Sequence, residues 1–172
     1  NSQFQTWMAL SKALNEQFKA NAPALDKNDE AKKALAELQK IYALPAPYAQ
    51  LRHIQPLIDK VSEINKQLIL EKRDHGLKRI NLRIQRVETT LNDVKAPDDL
   101  RNNALRQLQV CKQHMEGTNS IPQIISDQAD AEEYESNAES LINDYIEQQR
   151  KKDAQQQAIS VNSNNESENA AT

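Results

Sequence analysis

The stretch from Pro56 to Lys95 contains no further proline and a single glycine, Gly76, and large apolar residues recur along it at steps of three and four. This spacing is typical of one face of an α-helix. At about 1.5 Å of rise per residue, a continuous helix here would be about 60 Å long, which is typical of coiled coils and long bundles. We therefore predict one long helix, or two coaxial ones, around which the rest of the chain packs.

The apolar residues of this stretch form two heptad-type seams that are out of register with each other. The shift falls at residues 71–76, which carry no large apolar side chain. Gly76 is open to two interpretations there, a tolerated surface glycine or a bend or break in the helix. We expect Ile84 to be buried. The first seam comprises Leu57, Val61, Ile64 and Leu68, and the second comprises Leu77, Ile80, Ile84, Val87, Leu91 and Val94.

Composition favours an all-α protein. The chain has only two glycines and 4% aromatic residues, whereas β-rich folds need tight turns and side chains that fill a pleated surface. A single cysteine, Cys111, excludes an internal disulfide framework and is typical of a reducing compartment. No apolar run reaches the roughly 20 residues of a membrane span, and no signal peptide is recognised. We expect a cytoplasmic protein and, because the chain starts at Asn1 with an amphipathic pattern soon under way, a fragment of a longer one.

Breaks in periodicity divide the chain into four predicted segments. Residues 1–44 are predicted to form an N-terminal helical hairpin, 45–55 a proline-containing linker, 56–150 a three-helix antiparallel bundle, and 151–172 a disordered tail. The three helices of the bundle are predicted at 56–95, 97–116 and 122–150. Pro56 and Pro97 are expected at first helical positions, Gly117 as a left-handed C-cap and Ser120 as an N-cap. The predicted fold is an elongated, coiled-coil-like antiparallel helical bundle.

Charge is unevenly distributed along the chain. No lysine or arginine occurs between Lys112 and Arg150, whereas the long helix carries a basic strip. The strip is open to three interpretations: a face complementary to the acidic final helix, a DNA-binding surface, or a docking surface for another protein. DNA is not favoured, because the strip lacks interleaved aromatic residues and the isoelectric point is 5.7. We expect the final helix to neutralise part of the strip, whose candidate interaction residues are Lys72, Arg73, Arg79, Arg83 and Arg86.

Trp7 is the remaining candidate interaction residue. It lies on the apolar face of a predicted first helix at 2–20, where an aromatic side chain is either a core anchor or part of a docking surface. The chain carries no His-Glu-x-x-His sequence, no paired Cys-x-x-Cys, no glycine-rich phosphate loop and no nucleophile elbow. We therefore expect no enzymatic activity, no cofactor and no metal site in this chain.

Two groups of residues carry a family resemblance. The first is Leu44-Pro45-Ala46-Pro47-Tyr48 followed by residues 57–61 and 64–65, and the second is residues 102–109 followed by 120–124. Together they resemble the far C-terminal region of the large P-loop protein, of BrxC or PglY type, of BREX bacteriophage-defence systems. The resemblance covers roughly residues 44–146. It implies a bacterial protein that helps to assemble a defence complex with other protein subunits. The ATP-binding motifs of the family lie upstream and have no counterpart here, so no catalytic residue is carried over.

These observations predict a non-catalytic helical interaction or scaffold module. Two alternatives stay open: a nucleic-acid-binding helical arm that uses the basic strip, and a generic coiled-coil spacer of another large assembly protein. An oligomer is compatible with the sequence, because apolar seams serve packing within one chain and between chains equally. A membrane partner is not expected.

Overall fold

A computed structural model describes residues 16, 18–42 and 51–171, with the backbone alone for residues 42, 51–53 and 163–171. Within these residues the chain forms no strand, which confirms the all-α prediction. Most of the predicted first helix, including Trp7, lies outside the described residues; only residues 16 and 18–20 of it are described. Residues 45–50 of the predicted linker also lie outside them. The helices are α1 (Ala22–Asp26), α2 (Asp29–Tyr42), α3 (Leu51–Asp93), α4 (Asp98–Gly117) and α5 (Ile121–Ala171).

The start of α3 differs from the prediction. The helix begins at Leu51, so Pro56 lies inside it rather than at its first position, and residues 51–55 are helical rather than part of a linker. A proline so close to the start of a helix removes one main-chain hydrogen bond while most of the helix beyond it is unaffected. The helix was predicted to end at Lys95, and it ends two residues earlier, at Asp93.

The end of α3 is closed by a Schellman motif. Lys95 adopts a left-handed φ of 52°, the N–H of Ala96 bonds the carbonyl of Leu91 at 2.9 Å, and the N–H of Lys95 bonds that of Asn92 at 3.1 Å. The prediction that Gly117 would take the left-handed role was wrong, because neither described glycine has a positive φ. Ser120 does cap α5, since its Oγ accepts the N–H of Gln123 at 3.3 Å.

Gly76 is buried within a continuous α3, so the interpretations of a surface glycine and of a break in the helix were wrong, while a bend at Gly76 stays a prediction. All buried positions of α3 except Val61 recur every eleven residues, which corresponds to about 3.67 residues per turn and is close to an ordinary helix. Three residues of the predicted second seam, Ile80, Val87 and Leu91, belong to this pattern. The first seam does not: Val61 is buried outside the pattern, and the other three residues of that seam are half-buried. Ile84, which we expected to be buried, is only half-buried. The two buried series are Ile54, Asn65, Gly76 and Val87, and Ile58, Ile69, Ile80 and Leu91.

The same spacing governs α5, and here two of the buried positions are acidic. Pairs of its buried residues also stand eleven apart, and Asp127 and Glu135 interrupt what would otherwise be an apolar face. Their presence is the physical reason why the face of the final helix is weak in the sequence. The buried residues of this pattern are Ile124, Asp127, Ala131, Glu135, Ala138 and Ile142.

The backbone of α5 continues to Ala171, past Arg150, where the periodicity predicts that the helix ends. The residues beyond Arg150 include many good helix formers and no glycine or proline, which is compatible with a helical backbone. Every described side chain from 151 to 162 is exposed, in agreement with the prediction that this segment buries no apolar face.

Packing divides the chain into two compact units, one of Asn1–Arg79 and Gln113–Ala129, the other of Ile80–Lys112 and Asp130–Thr172. In each unit parts of α3, α4 and α5 lie side by side as a helical bundle. The first unit also contains α1 and α2, whose Leu25 and Leu38 pack with Ile54 and Val61 of α3. The predicted division into four segments follows breaks in sequence periodicity and stays a prediction.

Candidate interaction surface

A buried amide network joins three parts of the first unit. Asn21, which is 1% exposed, donates from Nδ2 to Oδ1 of Asn65 at 2.9 Å and to the carbonyl of Asn119 at 3.0 Å. Its Oδ1 accepts the N–H of Ile121 at 2.6 Å, the first residue of α5. Asn21 therefore supplies a partner for a main-chain donor at a helix start that lies 100 residues away in sequence.

Arg73, one of the predicted interaction residues, is held by the connection between α4 and α5. Its Nη2 donates to the carbonyl of Thr118 and to Oδ1 of Asn119, the latter at 2.8 Å. Its Nε is buried without a hydrogen-bond partner. The guanidinium is therefore fixed in orientation, and Arg73 is only half-exposed.

In the second unit, Glu135 of α5 pairs with two predicted interaction residues of α3. Its Oε2 accepts from Nη1 of Arg83 at 2.7 Å and from Nη2 of Arg86 at 2.9 Å, and its Oε1 accepts from Nε of Arg86 at 2.9 Å. The Glu135 side chain is 9% exposed, against 16% for Arg83 and 61% for Arg86. The prediction that the acidic final helix answers part of the basic strip is confirmed for these two arginines.

These contacts shift the pKa values of Glu135 and Arg86. Burial alone would raise the pKa of the Glu135 carboxyl, but the hydrogen bonds from Arg86 and Arg83, together with their charges, hold this pKa below its ordinary value. The hydrogen bond to Glu135 in turn raises the pKa of Arg86. The ionised form of the Glu135 carboxyl is therefore favoured, and this one buried group accepts hydrogen bonds from two cationic side chains.

The other predicted interaction residues have a different environment. Lys72 is exposed and lines a shallow cleft of about 450 Å³ with Leu68 and His75. Arg79 is exposed and forms no ion pair with any described residue. The basic strip of the sequence therefore does not act as one surface, because Arg73, Arg83 and Arg86 are engaged within the protein.

A groove along α3 was missed by the sequence analysis. It has a volume of about 720 Å³, and Asn119 borders it from the α4–α5 connection. Acidic side chains line the part nearer the start of α3, and the basic side chains of Lys66 and Arg73 line the other part, with Leu70, 44% exposed, between these two. The available signal was the seven-residue spacing of charged residues on a polar face. The α3 residues of the groove are Asp59, Ser62, Glu63, Asn65, Lys66, Ile69, Leu70 and Arg73.

His114 and Asp127 form a further titratable cluster of the first unit. Nδ1 of His114 lies 2.7 Å from Oδ2 of Asp127, and Nε2 of Gln123 donates to Oδ1 of the same carboxylate at 3.0 Å. His114 and Gln123 thus provide polar partners for the buried carboxylate of Asp127, as the two arginines do for Glu135. Among the residues that the structure describes, no group of three or more histidine, cysteine, aspartate or glutamate side chains could hold a metal ion.

No protein-family model matches this chain, and no solved structure matches it. None of the helices in the described part of the chain combines the length and apolar character that crossing a membrane requires.

Proposed function

We propose that this chain is a non-catalytic helical interaction or scaffold module, and that it is the C-terminal region of a BREX phage-defence ATPase. In this proposal it acts in the bacterial cytoplasm and helps to assemble the defence complex with other protein subunits. The P-loop ATPase domain would lie in the parent protein outside this chain.

The observation that carries the proposal is the groove along α3 with its exposed Leu70. Peptide and helix recognition commonly uses an open groove in which apolar contacts supply affinity and flanking charges set orientation. The resemblance to the BREX protein supports the choice of system, and the groove residues Asp59 and Asn65 are among the residues that carry it. The residues that carry it are 44–48, 57–61, 64–65, 102–109 and 120–124.

The alternative of a nucleic-acid-binding arm is less well supported by the charges. Non-specific DNA binding is driven by counterion release when free cationic side chains meet phosphates. Arg83 and Arg86 already meet a carboxylate, so they have little counterion release to offer. Exposed Lys72 and Arg79 are the residues that favour this alternative.

Co-expression of the tagged full chain with each protein subunit of a BREX system tests the proposal. At least one subunit should co-elute in a fixed ratio, and Leu70→Asp should lower its yield. Val110→Asp is the matched control, because Val110 is also exposed, at 59%, but does not line the groove. Deletion of residues 44–146 from the parent protein should restore phage plating. Unchanged plating, together with no co-eluting subunit, would refute the assembly role.

A DNA-binding titration across a salt series tests the alternative. The full chain should show no binding at micromolar concentrations. Micromolar affinity with a steep negative salt slope, abolished by changing Arg79, Arg83 and Arg86 together to glutamine, would replace the scaffold proposal by a nucleic-acid arm.

A further inference from the structure

We infer that the C-terminal part of α5 of one copy of this chain binds in the α3 groove of a second copy. The inference does not depend on the BREX assignment. It rests on two surfaces described above: a helical segment whose described side chains find no packing partner in their own chain, and a groove whose charges and spacing fit that segment.

The segment is residues 151–171, which continue α5 beyond its last buried position. All described side chains from 151 to 162 are exposed, including Ile159 at 67% and Val161 at 55%. An isolated helix of this kind gains little stability without packing, so burial of Ile159 against another chain would stabilise it. Because these side chains are exposed in their own chain, the groove of the same chain does not hold them.

The groove has the spacing of a helix-docking seam. Asp59, Lys66 and Arg73 stand seven residues apart, and Ile69 and Leu70 lie between the last two. Residues spaced in this way on one helix form the holes into which the side chains of a second helix insert. Neither Asp59 nor Lys66 forms an ion pair within the described part of the chain, so both charges are available to a ligand.

The segment repeats this spacing with the opposite charges. Lys152, Ile159 and Glu166 also stand seven residues apart in the sequence. In a parallel arrangement Lys152 lies level with Asp59, and Ile159 lies level with Lys66, within reach of Leu70. An antiparallel arrangement would place lysine against arginine, so the charges select the parallel one.

Such a contact joins two different surfaces of identical chains. It closes into a dimer where two copies exchange segments, and it gives longer assemblies where they do not. The dimer and the longer assemblies both use the same groove and the same helix. Substitutions in the groove or in the helix therefore distinguish this interface from any other interface between copies.

Sedimentation velocity of the full chain, from about 1 µM to about 500 µM, measures the association in the range expected of a small interface. We expect concentration-dependent association. Leu70→Asp and Ile159→Asp should each raise the dissociation constant by at least about tenfold, because each replaces a buried apolar contact by a charge. Val110→Asp should leave it unchanged, and the helical circular dichroism signal should be the same for all three. A wild-type chain that stays monomeric throughout the range would overturn the inference.

A complementation experiment identifies the two surfaces. The Leu70→Asp chain retains the segment but has a damaged groove, whereas a chain ending at Arg150 retains the groove but lacks the segment. Each alone should be monomeric, and an equimolar mixture should form a heterodimer. A mixture that stays monomeric would overturn the inference, as would self-association of the shortened chain with the affinity of the full chain. Charge reversal at Lys152 should weaken the complex, and Asp59→Lys in the partner copy should restore it.

Discussion

A Cβ atom placed on Gly76 would lie 2.7 Å from Sδ of Met115, a distance that real Cβ contacts do not show. It would also lie 2.8 Å from Nε2 of Gln128 on α5. Met115 is fully buried, so its side chain has little free volume into which it could move. Glycine at this position therefore lets three helices of the first unit approach one another closely.

Replacing Gly76 with alanine should destabilise the protein by about 1–2 kcal/mol. Overpacking a well-packed site costs about 1–3 kcal/mol, and the gain in helix propensity of up to about 1 kcal/mol offsets part of this. Urea unfolding monitored by circular dichroism measures the change. The additional substitution Met115→Ala should recover part of the clash cost, so that the double variant is more stable than additivity predicts.

Gly117 provides the matched control, because nothing lies within 4 Å of a Cβ built there and its φ is not positive. Gly117→Ala should be neutral or stabilising by up to about 1 kcal/mol. Equal effects at the two glycines would contradict a close-packing role for Gly76.

Asn21→Ala should destabilise the first unit by about 2–4 kcal/mol. The substitution leaves the N–H of Ile121 and two oxygen acceptors, on Asn65 and Asn119, without their partner, and each buried polar group left unpaired costs about 1–3 kcal/mol unless water reaches it. Denaturant unfolding at neutral pH measures the loss.

Asn137→Ala is the control for this amide, since Asn137 is exposed and its side chain makes only a 3.4 Å hydrogen bond, to Gln107, within the part of the chain that the structure describes. A change within about 0.5 kcal/mol is expected there. Similar losses for the two asparagines would show that the Asn21 network contributes no more than a surface contact.

Glu135 should make the stability of the protein sensitive to acid. Because its folded-state pKa lies below the unfolded value, the unfolded state takes up a proton first as the pH falls. The stabilisation is therefore fully present above the ordinary glutamate pKa of about 4.3 and is lost as the pH falls through the lower folded-state value. Glu135→Gln should be less stable than the wild type at pH 7, and the difference should shrink below about pH 4.

The exposed Glu132 on the same helix is the control for the acid series. Unfolding free energies of Glu132→Gln and of the wild type should run in parallel from pH 7 to pH 3. A wild-type advantage over Glu135→Gln that persists undiminished at the lowest pH would mean that the carboxylate is not the source of the stabilisation.

The helical class and the positions of the long helices follow from apolar spacing and proline positions, which are local features of the sequence. The eleven-residue pattern could not be read in the same way, because it depends on Asn65, Gly76, Asp127 and Glu135, which occupy buried positions that apolar patterning assigns to large hydrophobic residues. Burial of Asn65 and of Glu135 becomes favourable only through partners that are distant in sequence. The Asn21–Asn65 bond spans 44 residues and the Arg83–Glu135 bond spans 52.

For the candidate interaction residues, too, some contacts could be predicted from the sequence and others could not. The pairing of Arg83 and Arg86 with the acidic final helix was predictable, because the sequence places basic residues on the long helix and acidic residues on the final helix. The capture of Arg73 by Thr118 and Asn119 was not, because it depends on a short connection whose conformation no periodicity describes.

Replacing Ile80 and Ile84 separately with alanine distinguishes the observed burial pattern from the heptad pattern that the sequence suggests. The two residues are chemically identical and share one helix, but Ile80 is 1% exposed and Ile84 is half-buried. Ile80→Ala should cost about 2–5 kcal/mol, the usual range for truncating a fully buried isoleucine. Ile84→Ala should cost about 1–2 kcal/mol, because a half-exposed side chain loses less transfer free energy and leaves a site that water can fill. The ratio of the two losses, from urea unfolding under identical conditions, is the decisive quantity. If Ile84→Ala lowered the unfolding free energy as much as Ile80→Ala does, both residues would be equally buried, as the heptad pattern predicts. That result would contradict the eleven-residue pattern.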